Sequence, residues 1–316
     1  MAPSDGSIYA NRLQLVNLAT QRDMHTVLDA ALDHRDCGSG EQCRYRTWAQ
    51  TTGSGAKLTG ADGADASRFG LLGGVDRLVG DTEPRLGVEA GASRLNTHDG
   101  AGGYGHTDDA HVGLYGMAPA GPLELSGAMS FQRARHYLSR LTGVGNALAD
   151  VDSRASTVGV QLAWPWLAAH WHFAPTMGVL YQHHAMEDMH ETVVSTRPLA
   201  GSFGLDGHHE TFDTLQAYGS VSLGREFQHR QVTYAPRFAL GYRRNVRGGA
   251  PAVVMNARDG TAFALRGAQV GRNMATVDVG LAVSGGKSWS MSLAYRGLFA
   301  SGLRDNAASF GFTRHF

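Results

Sequence analysis

Two periodicities divide the chain. From Ile8 to Leu32 the apolar positions are Ile8, Leu13, Leu15, Val16, Leu18, Met24, Val27, Leu28, Ala31 and Leu32, mostly three or four apart, with neither Gly nor Pro between them. That spacing predicts a helix of roughly 25 residues, about 37 Å long. Its remaining surface is rich in Asn, Gln, Thr and Arg, so the helix is expected to tolerate a wet surrounding.

After Cys43 the period changes to two and holds to Phe316. In Trp171–Gln182 the odd positions are Trp171, Phe173, Pro175, Met177, Val179 and Tyr181, whereas the even ones are, apart from Leu180, small or polar. Leu86, Val88, Ala90 and Ala92 alternate in the same way with Gly87, Glu89, Gly91 and Ser93. So do Val158–Trp164, Val232–Tyr242 and Val277–Val283. Strict alternation over segments of about ten residues is the signature of strands with one face in lipid. Twelve such strands are predicted, at 45–57, 67–78, 84–95, 107–117, 123–137, 154–164, 171–186, 213–228, 231–245, 274–283, 288–300 and 306–316.

The connections alternate in length. Short ones fall at 79–82, 118–122, 165–170, 229–230 and 284–287, and long ones at 96–106, 138–153, 188–212 and 246–273. A soluble sandwich has no reason for that alternation; a membrane barrel, with turns at one rim and loops at the other, does. Aromatics agree. Trp164, Trp171, Trp289 and Phe316 sit on the apolar face near the short turns, and Phe131, Tyr181, Tyr242 and Phe299 near the long loops, predicting two interfacial girdles. Charges in the proposed membrane band fall mainly on the other face, at Asp76, Glu89, Glu124, Arg237, Asp278 and Arg296. An Arg turned to mid-bilayer would cost roughly 2–4 kcal/mol. Arg133 and Arg135 share the outward parity of Phe131 but lie beyond the band, and Arg314 is close enough to the chain end to snorkel.

Composition narrows the function. The 28 basic and 28 acidic residues cancel, which removes the basic face that nucleic-acid binding needs. Glycine reaches 42 residues without collagen's period, and two cysteines exclude a disulfide-rich scaffold. No apolar run is long enough for a transmembrane helix, and Met1-Ala2-Pro3-Ser4 does not open a signal peptide.

Together these features resemble the translocator domain of the type V secretion autotransporters: a pore-spanning helix, twelve strands, and an aromatic last residue. Stretches that read like that family are Phe69-Gly70-Leu71-Leu72-Gly73-Gly74, Arg85-Leu86-Gly87-Val88, His111-Val112-Gly113-Leu114-Tyr115-Gly116 and Ala235-Pro236-Arg237-Phe238-Ala239-Leu240-Gly241-Tyr242. The resemblance implies a linker and helix over 1–44 and an all-β, twelve-stranded antiparallel transmembrane barrel over 45–316, with the helix plugging the lumen. It implies insertion in the bacterial outer membrane and export of an N-terminal passenger that is expected to lie outside this sequence. The expected partners are outer-membrane lipid, the barrel-assembly machinery and the chain's own passenger; a monomer is expected, with no nucleic acid, no cofactor and no metal. Gly311 and Phe316 fit the C-terminal signal that the machinery reads, whereas Arg314 stands where an apolar residue is usual. The alternative is a stand-alone outer-membrane channel or surface-binding barrel, for which residues 8–32 have no purpose.

Twelve strands leave a lumen about one helix wide, 10–12 Å. Gly87, Gly91, Gly178, Ala239, Gly241 and Gly280 are expected to make room for the helix, with Glu89, Glu124, Arg237, Arg243, Asp278 and Arg296 lining the lumen around it. Some relatives cut their own passenger through an Asn in the pore, which makes Asn11 and Asn17 candidates. Solvating and positioning the plug is the plainer role for the charges, and Gln161 stands where relatives carry an acid. The histidine pairs His183-His184 and His208-His209 are adjacent rather than spaced to converge on an ion, and there is no Gly-x-Ser-x-Gly nucleophile motif.

Cys37 and Cys43 enclose five residues that include two glycines. In the oxidising periplasm they are expected to form a local disulfide at the hinge between helix and first strand. Thiol titration of the unfolded, unreduced protein should find no free thiol; two free thiols would contradict the pairing.

Overall fold

The computed structural model describes residues 6–33, 44–60, 63–79, 84–168, 171–197, 200–248, 251–285 and 288–316. Cys37 and Cys43 lie outside these. The helix, α1, spans Ser7–Leu32. Twelve long strands follow: β1 Tyr45–Leu58, β2 Ala64–Leu78, β3 Arg85–Asp99, β4 Tyr104–Ala120, β5 Leu123–Thr142, β6 Gly145–Ala163, β7 Trp171–Met186, β8 Glu210–Arg225, β9 Val232–Arg247, β10 Asn273–Gly285, β11 Trp289–Ala300 and β12 Leu303–His315. Each pairs antiparallel with the next. β12 returns to β1, with a register running from Arg46↔His315 to Leu58↔Leu303, so the barrel closes. Closure is what lets strands cross a bilayer, because it leaves no edge with unpaired N–H and C=O groups in hydrocarbon. Phe316 completes the seam: its N–H donates to Tyr45 at 3.0 Å, and Tyr45 N–H donates to its carbonyl at 2.9 Å.

All twelve predicted strands are present, but two of the four predicted long loops are not loops. β3 and β4 continue until only residues 100–103 separate them, and β5 and β6 until only 143–144 do. The apolar alternation stops at the membrane rim while the pairing continues beyond it. The outward face of these extensions is polar, at Asn96, His98, Arg135 and Asp150, so no lipid-facing period marks them, although Leu138, Ala149 and Val151 face inward and join the core. The other two loops carry short strands of their own. Met189–Val194, Leu205–Gly207, Ala252–Ala257 and Ala262–Arg266 pair into a small sheet at the loop rim. Its buried side chains Met189, Leu205, Val253, Met255 and Leu265 pack on Ile8, Tyr9, Ala10 and Leu13 of the helix.

The packed core of this protein is its lumen; the outside is apolar. Leu71, Leu86, Val88, Val112, Leu114, Met177, Leu240 and Leu293 stand exposed around the wall. No described helix is long and apolar enough to cross a membrane; the strands provide that surface. Trp164, Trp171 and Phe316 are exposed at the turn rim and Phe131, Tyr181, Tyr242 and Phe299 toward the loop rim, as the alternation predicts.

Leu293 faces outward midway along β11, opposite Phe310. Leu293→Arg should lower unfolding stability in vesicles by roughly 2–4 kcal/mol. An unchanged denaturant midpoint would show that this face is not in lipid.

The lumen and its helix as the candidate functional site

The helix is held by the wall along its whole length. At the loop rim Ser7 Oγ donates to Asp99 Oδ2 at 3.0 Å and Tyr9 OH donates to Glu191. Glu191 is buried and is also gripped by Arg140, with Nε at 2.9 Å and Nη2 at 2.7 Å, and by the Leu205 N–H at 2.8 Å. A single carboxylate therefore joins the helix, β5 and the rim sheet. In the middle Leu15, Val16 and Leu18 pack on Leu58, Leu95, Met274, Leu298 and Leu303. Thr20 Oγ1 donates to Gln132 at 2.6 Å, and His25 Nε2 lies 3.0 Å from Gln216 Oε1. Arg22 pairs with Asp305 and Asp23 with Arg68. Nearer the turn rim Met24, Val27 and Leu28 pack against Trp48, Leu72, Tyr115, Met117 and Leu180, and Asp29 accepts from Arg296 Nη2 at 2.8 Å.

The helix end is closed by one arginine. Arg46 Nη2 donates to the Ala30 carbonyl at 2.8 Å and Nη1 to that of Asp33, which satisfies carbonyls that a terminating helix leaves without partners. The same guanidinium holds Asp76 through Nε at 2.9 Å and Nη2 at 2.6 Å. Asp76 also takes Arg85 Nη1 at 2.9 Å and Tyr115 OH at 2.6 Å. Both Arg46 and Asp76 are buried, a setting in which an unpaired charge costs several kcal/mol.

The six charged residues expected in the lumen all face it, but they do not form one group. Glu89 lies with its Oε2 3.3 Å from His111 Nε2 on the β3–β4 side. Asp278 pairs with Arg296, and these two line a cavity of about 380 Å³ with Glu124, Arg237 and Arg243 beside the lower half of the helix. The helix packs chiefly against β2–β6, so this cavity lies on the opposite side, toward β8–β11. Apolar layers fill the upper lumen, and this open volume lies to one side of the lower half. The small lumen residues Gly87, Gly91, Gly178 and Gly241, expected to make room for the helix, are instead crowded by the wall itself. A Cβ on Gly87 would meet Tyr115, on Gly91 His111 and on Gly178 Tyr218, each residue standing directly across the strand pair. These glycines seat inward-folded rings of the wall. Among the described glycines of the wall strands, Gly159 is where a Cβ would meet the helix, at Leu28 and Met24.

Asn11 and Asn17 are both in the helix. Asn11 is fully buried, with its Oδ1 accepting the Ala268 N–H at 2.7 Å. Asn17 Nδ2 donates to Thr214 Oγ1 at 3.4 Å. Asn17 and Asp29 are twelve residues apart, about 18 Å along the axis, so the Arg296–Asp278 group is far from either amide. His183 and His184 diverge: His183 turns outward to Asp213 at 2.8 Å while His184 turns inward and stacks on Phe212, and His208 and His209 are both exposed. Asp23, Asp109 and His111 bring ligand atoms within 4.8 Å of one another. Arg68 already occupies Asp23, and Ser93 donates to Asp109, so these groups form an ion-pair and hydrogen-bond network.

Comparison with known proteins agrees with this geometry. The family described as autotransporter beta-domain matches residues 47–296. The chain belongs to this family. Two curated sequences, both extracellular serine proteases of Serratia marcescens, are 27% and 26% identical over 278 residues, 85% of this chain and 26% of their own length. The chain thus spans about a quarter of those relatives. Among solved structures, the translocator domain of autotransporter NalP from Neisseria meningitidis aligns with a TM-score of 0.79 at 17% identity, over 98% of this chain and all of that one. The beta domain of the Bordetella autotransporter BrkA gives 0.65 at 15% identity, over 86% of this chain and all of that one. The autotransporter domain is an outer-membrane barrel that inserts in the bacterial outer membrane and serves export of a passenger; the barrel is not itself catalytic. The turn rim accordingly faces the periplasm and the loop rim the cell exterior.

Removing Arg46 should expose what its network contributes. Arg46→Ala leaves Asp76 with half its hydrogen bonds and the helix end unclosed, a loss of about 3–5 kcal/mol. Arg133→Gln, at an exposed pair with Asp152, should cost about 1 kcal/mol or less. Equal effects in equilibrium unfolding would contradict the network.

Proposed function

We propose that the helix is the stationary plug of the export pore, retained in the lumen and joined at its outer end to the passenger. The observation that carries this reading is the continuous set of polar partners from Ser7–Asp99 at the exterior to Arg46 on the Ala30 carbonyl at the periplasmic side. Three apolar layers lie between them, at the loop rim, at mid-height and nearer the turn rim. A freely sliding segment would present interchangeable polar residues, whereas here Arg22, Asp23 and Asp29 of the helix each meet a particular wall residue, Asp305, Arg68 and Arg296.

In-pore self-cleavage is the weaker reading. It needs an Asn amide free to attack its own carbonyl with an acid–base group in reach. The Asn11 oxygen is engaged by loop backbone, and Asn17 shares its amide with Thr214 and Gln21. The domain division at residues 44 and 45, the Cys37–Cys43 disulfide, and Gly311 and Phe316 as the signal for the barrel-assembly machinery belong to the same proposal, as does a monomeric state. Protease activity is a property of the Serratia relatives by their description; a protease passenger for this chain is proposed by that similarity alone.

Deletion of residues 1–33 tests the plug. The lipid-facing residues all follow Cys43, so the strands should still assemble, and the truncated barrel should show higher single-channel conductance in planar bilayers and a lower melting temperature. Unchanged conductance would mean that the helix does not occlude the pore.

A further inference from the structure

The outward face of β2–β6 carries two features, one above the other, that export does not use. The lower is an apolar groove of about 720 Å³ in the lipid-facing wall. Val75, Val88, Val112, Leu114, Met129 and Phe131 line it, and Gly73, Gly74 and Gly113 leave the wall thin between them. Small residues stand at and above its upper edge. Ala90 pairs with Val112 and Ala92 with Ala110, so exposed methyl groups stand where neighbouring rows carry larger side chains.

The upper feature is a belt of exposed charge with the same outward parity. On β5, Phe131, Arg133 and Arg135 alternate outward, which places the two arginines about 7 and 14 Å above the groove's rim. Arg94 meets Asp108 at 2.6 and 2.8 Å, Arg133 meets Asp152 at 2.8 Å, Arg135 meets Asp150 at 2.7 Å and Arg154 meets Glu187 at 3.0 Å. All four guanidinium groups are well exposed. Above them Tyr137 stacks on His106 and carries the Arg135 guanidinium over its ring.

We propose that this face binds one phosphorylated, multi-acyl glycolipid of the outer leaflet, of the lipopolysaccharide class. One acyl chain lies in the groove and the phosphates lie on the arginine belt. Exposed ion pairs are worth only about 0–1 kcal/mol, so these guanidinium groups exchange carboxylate for phosphate at little cost. Arginine's planar fork then meets phosphate oxygens two at a time. The released carboxylates Asp108, Asp150, Asp152 and Glu187 are hard oxygen donors, suited to divalent cations that bridge to the same phosphates. Width selects the lipid. From β3 to β6 the belt spans three strand spacings, about 14 Å, which suits two phosphates held apart on a sugar pair better than the single phosphate of a glycerophospholipid.

The test uses the full chain refolded in detergent and native mass spectrometry, with purified lipid A, phosphatidylglycerol, or inorganic phosphate with magnesium as probes. The unaltered chain should retain one lipid A through detergent exchange and should not retain phosphatidylglycerol. Arg133→Gln with Arg135→Gln should weaken retention roughly tenfold or more, the equivalent of about 1.4 kcal/mol. Ala90→Phe, which narrows the groove and spares the arginines, should also weaken it. The heat-modifiable gel shift reports folding of each variant. Equal retention of phosphatidylglycerol, full displacement by inorganic phosphate with magnesium, or variants that hold lipid A as the unaltered chain does would each overturn the proposal. If a variant fails to fold, the three-probe comparison on the unaltered chain still decides.

Discussion

Everything in this barrel follows from the closure of β12 onto β1. A sheet that spans hydrocarbon cannot leave an edge, so the register from Arg46↔His315 to Leu58↔Leu303 is a condition of its existence. Closure fixes which face of every strand meets lipid, and the period of two then sends the alternate residues inward. Those inward residues include Arg46, Arg68, Asp76, Glu89, Arg140 and Asp305, all buried. The barrel therefore creates a second requirement in satisfying the first: a lumen full of charge that must find partners. The helix supplies several of them, through Arg22, Asp23, Asp29 and its terminal carbonyls.

The helix and the wall are thus each other's solvent. Its residues alternate between apolar patches and single polar groups at three depths, and the wall answers each layer in kind. Such a helix has no single apolar face, which explains why it looks only weakly amphipathic while being buried along nearly its whole length. The off-centre seat follows from the same matching. β2–β6 offer the apolar layers and small residues the helix needs, whereas β9–β11 carry Arg237, Asp278 and Arg296 and hold the remaining water-sized space.

Much of this was legible in the chain. The twelve strands, their lipid faces and both girdles follow from alternation, because lipid on one side enforces it at every second residue. The extensions of β5 and β6 beyond the membrane escaped that reasoning: water lies on their outer face, and Arg135, Tyr137 and Asp150 obey no hydrophobic period. The rim sheet escaped it because Met189–Val194 and Ala252–Ala257 are too short to show a period. Glu191, which joins three elements, lies in one of these segments. Arg46 was within reach, since the alternation of β1 places it inward one residue after the strand begins. Its role was not, because nothing local tells that the helix ends at the same depth. The division of the six lumen charges between Glu89–His111 and the Arg296 group depends on where the helix leans, which only three-dimensional packing decides.

A plug bonded at both ends and sealed by three apolar layers must exchange its amide hydrogens slowly. A segment merely resident in a water-filled pore would not. Hydrogen–deuterium exchange of the lipid-reconstituted chain measures this directly. Peptides covering residues 7–32 should be protected to the same degree as those of β3–β6, across the whole length of the helix. Exchange of 7–32 on the timescale of the exposed rim turns, with the strands still protected, would contradict a stationary plug.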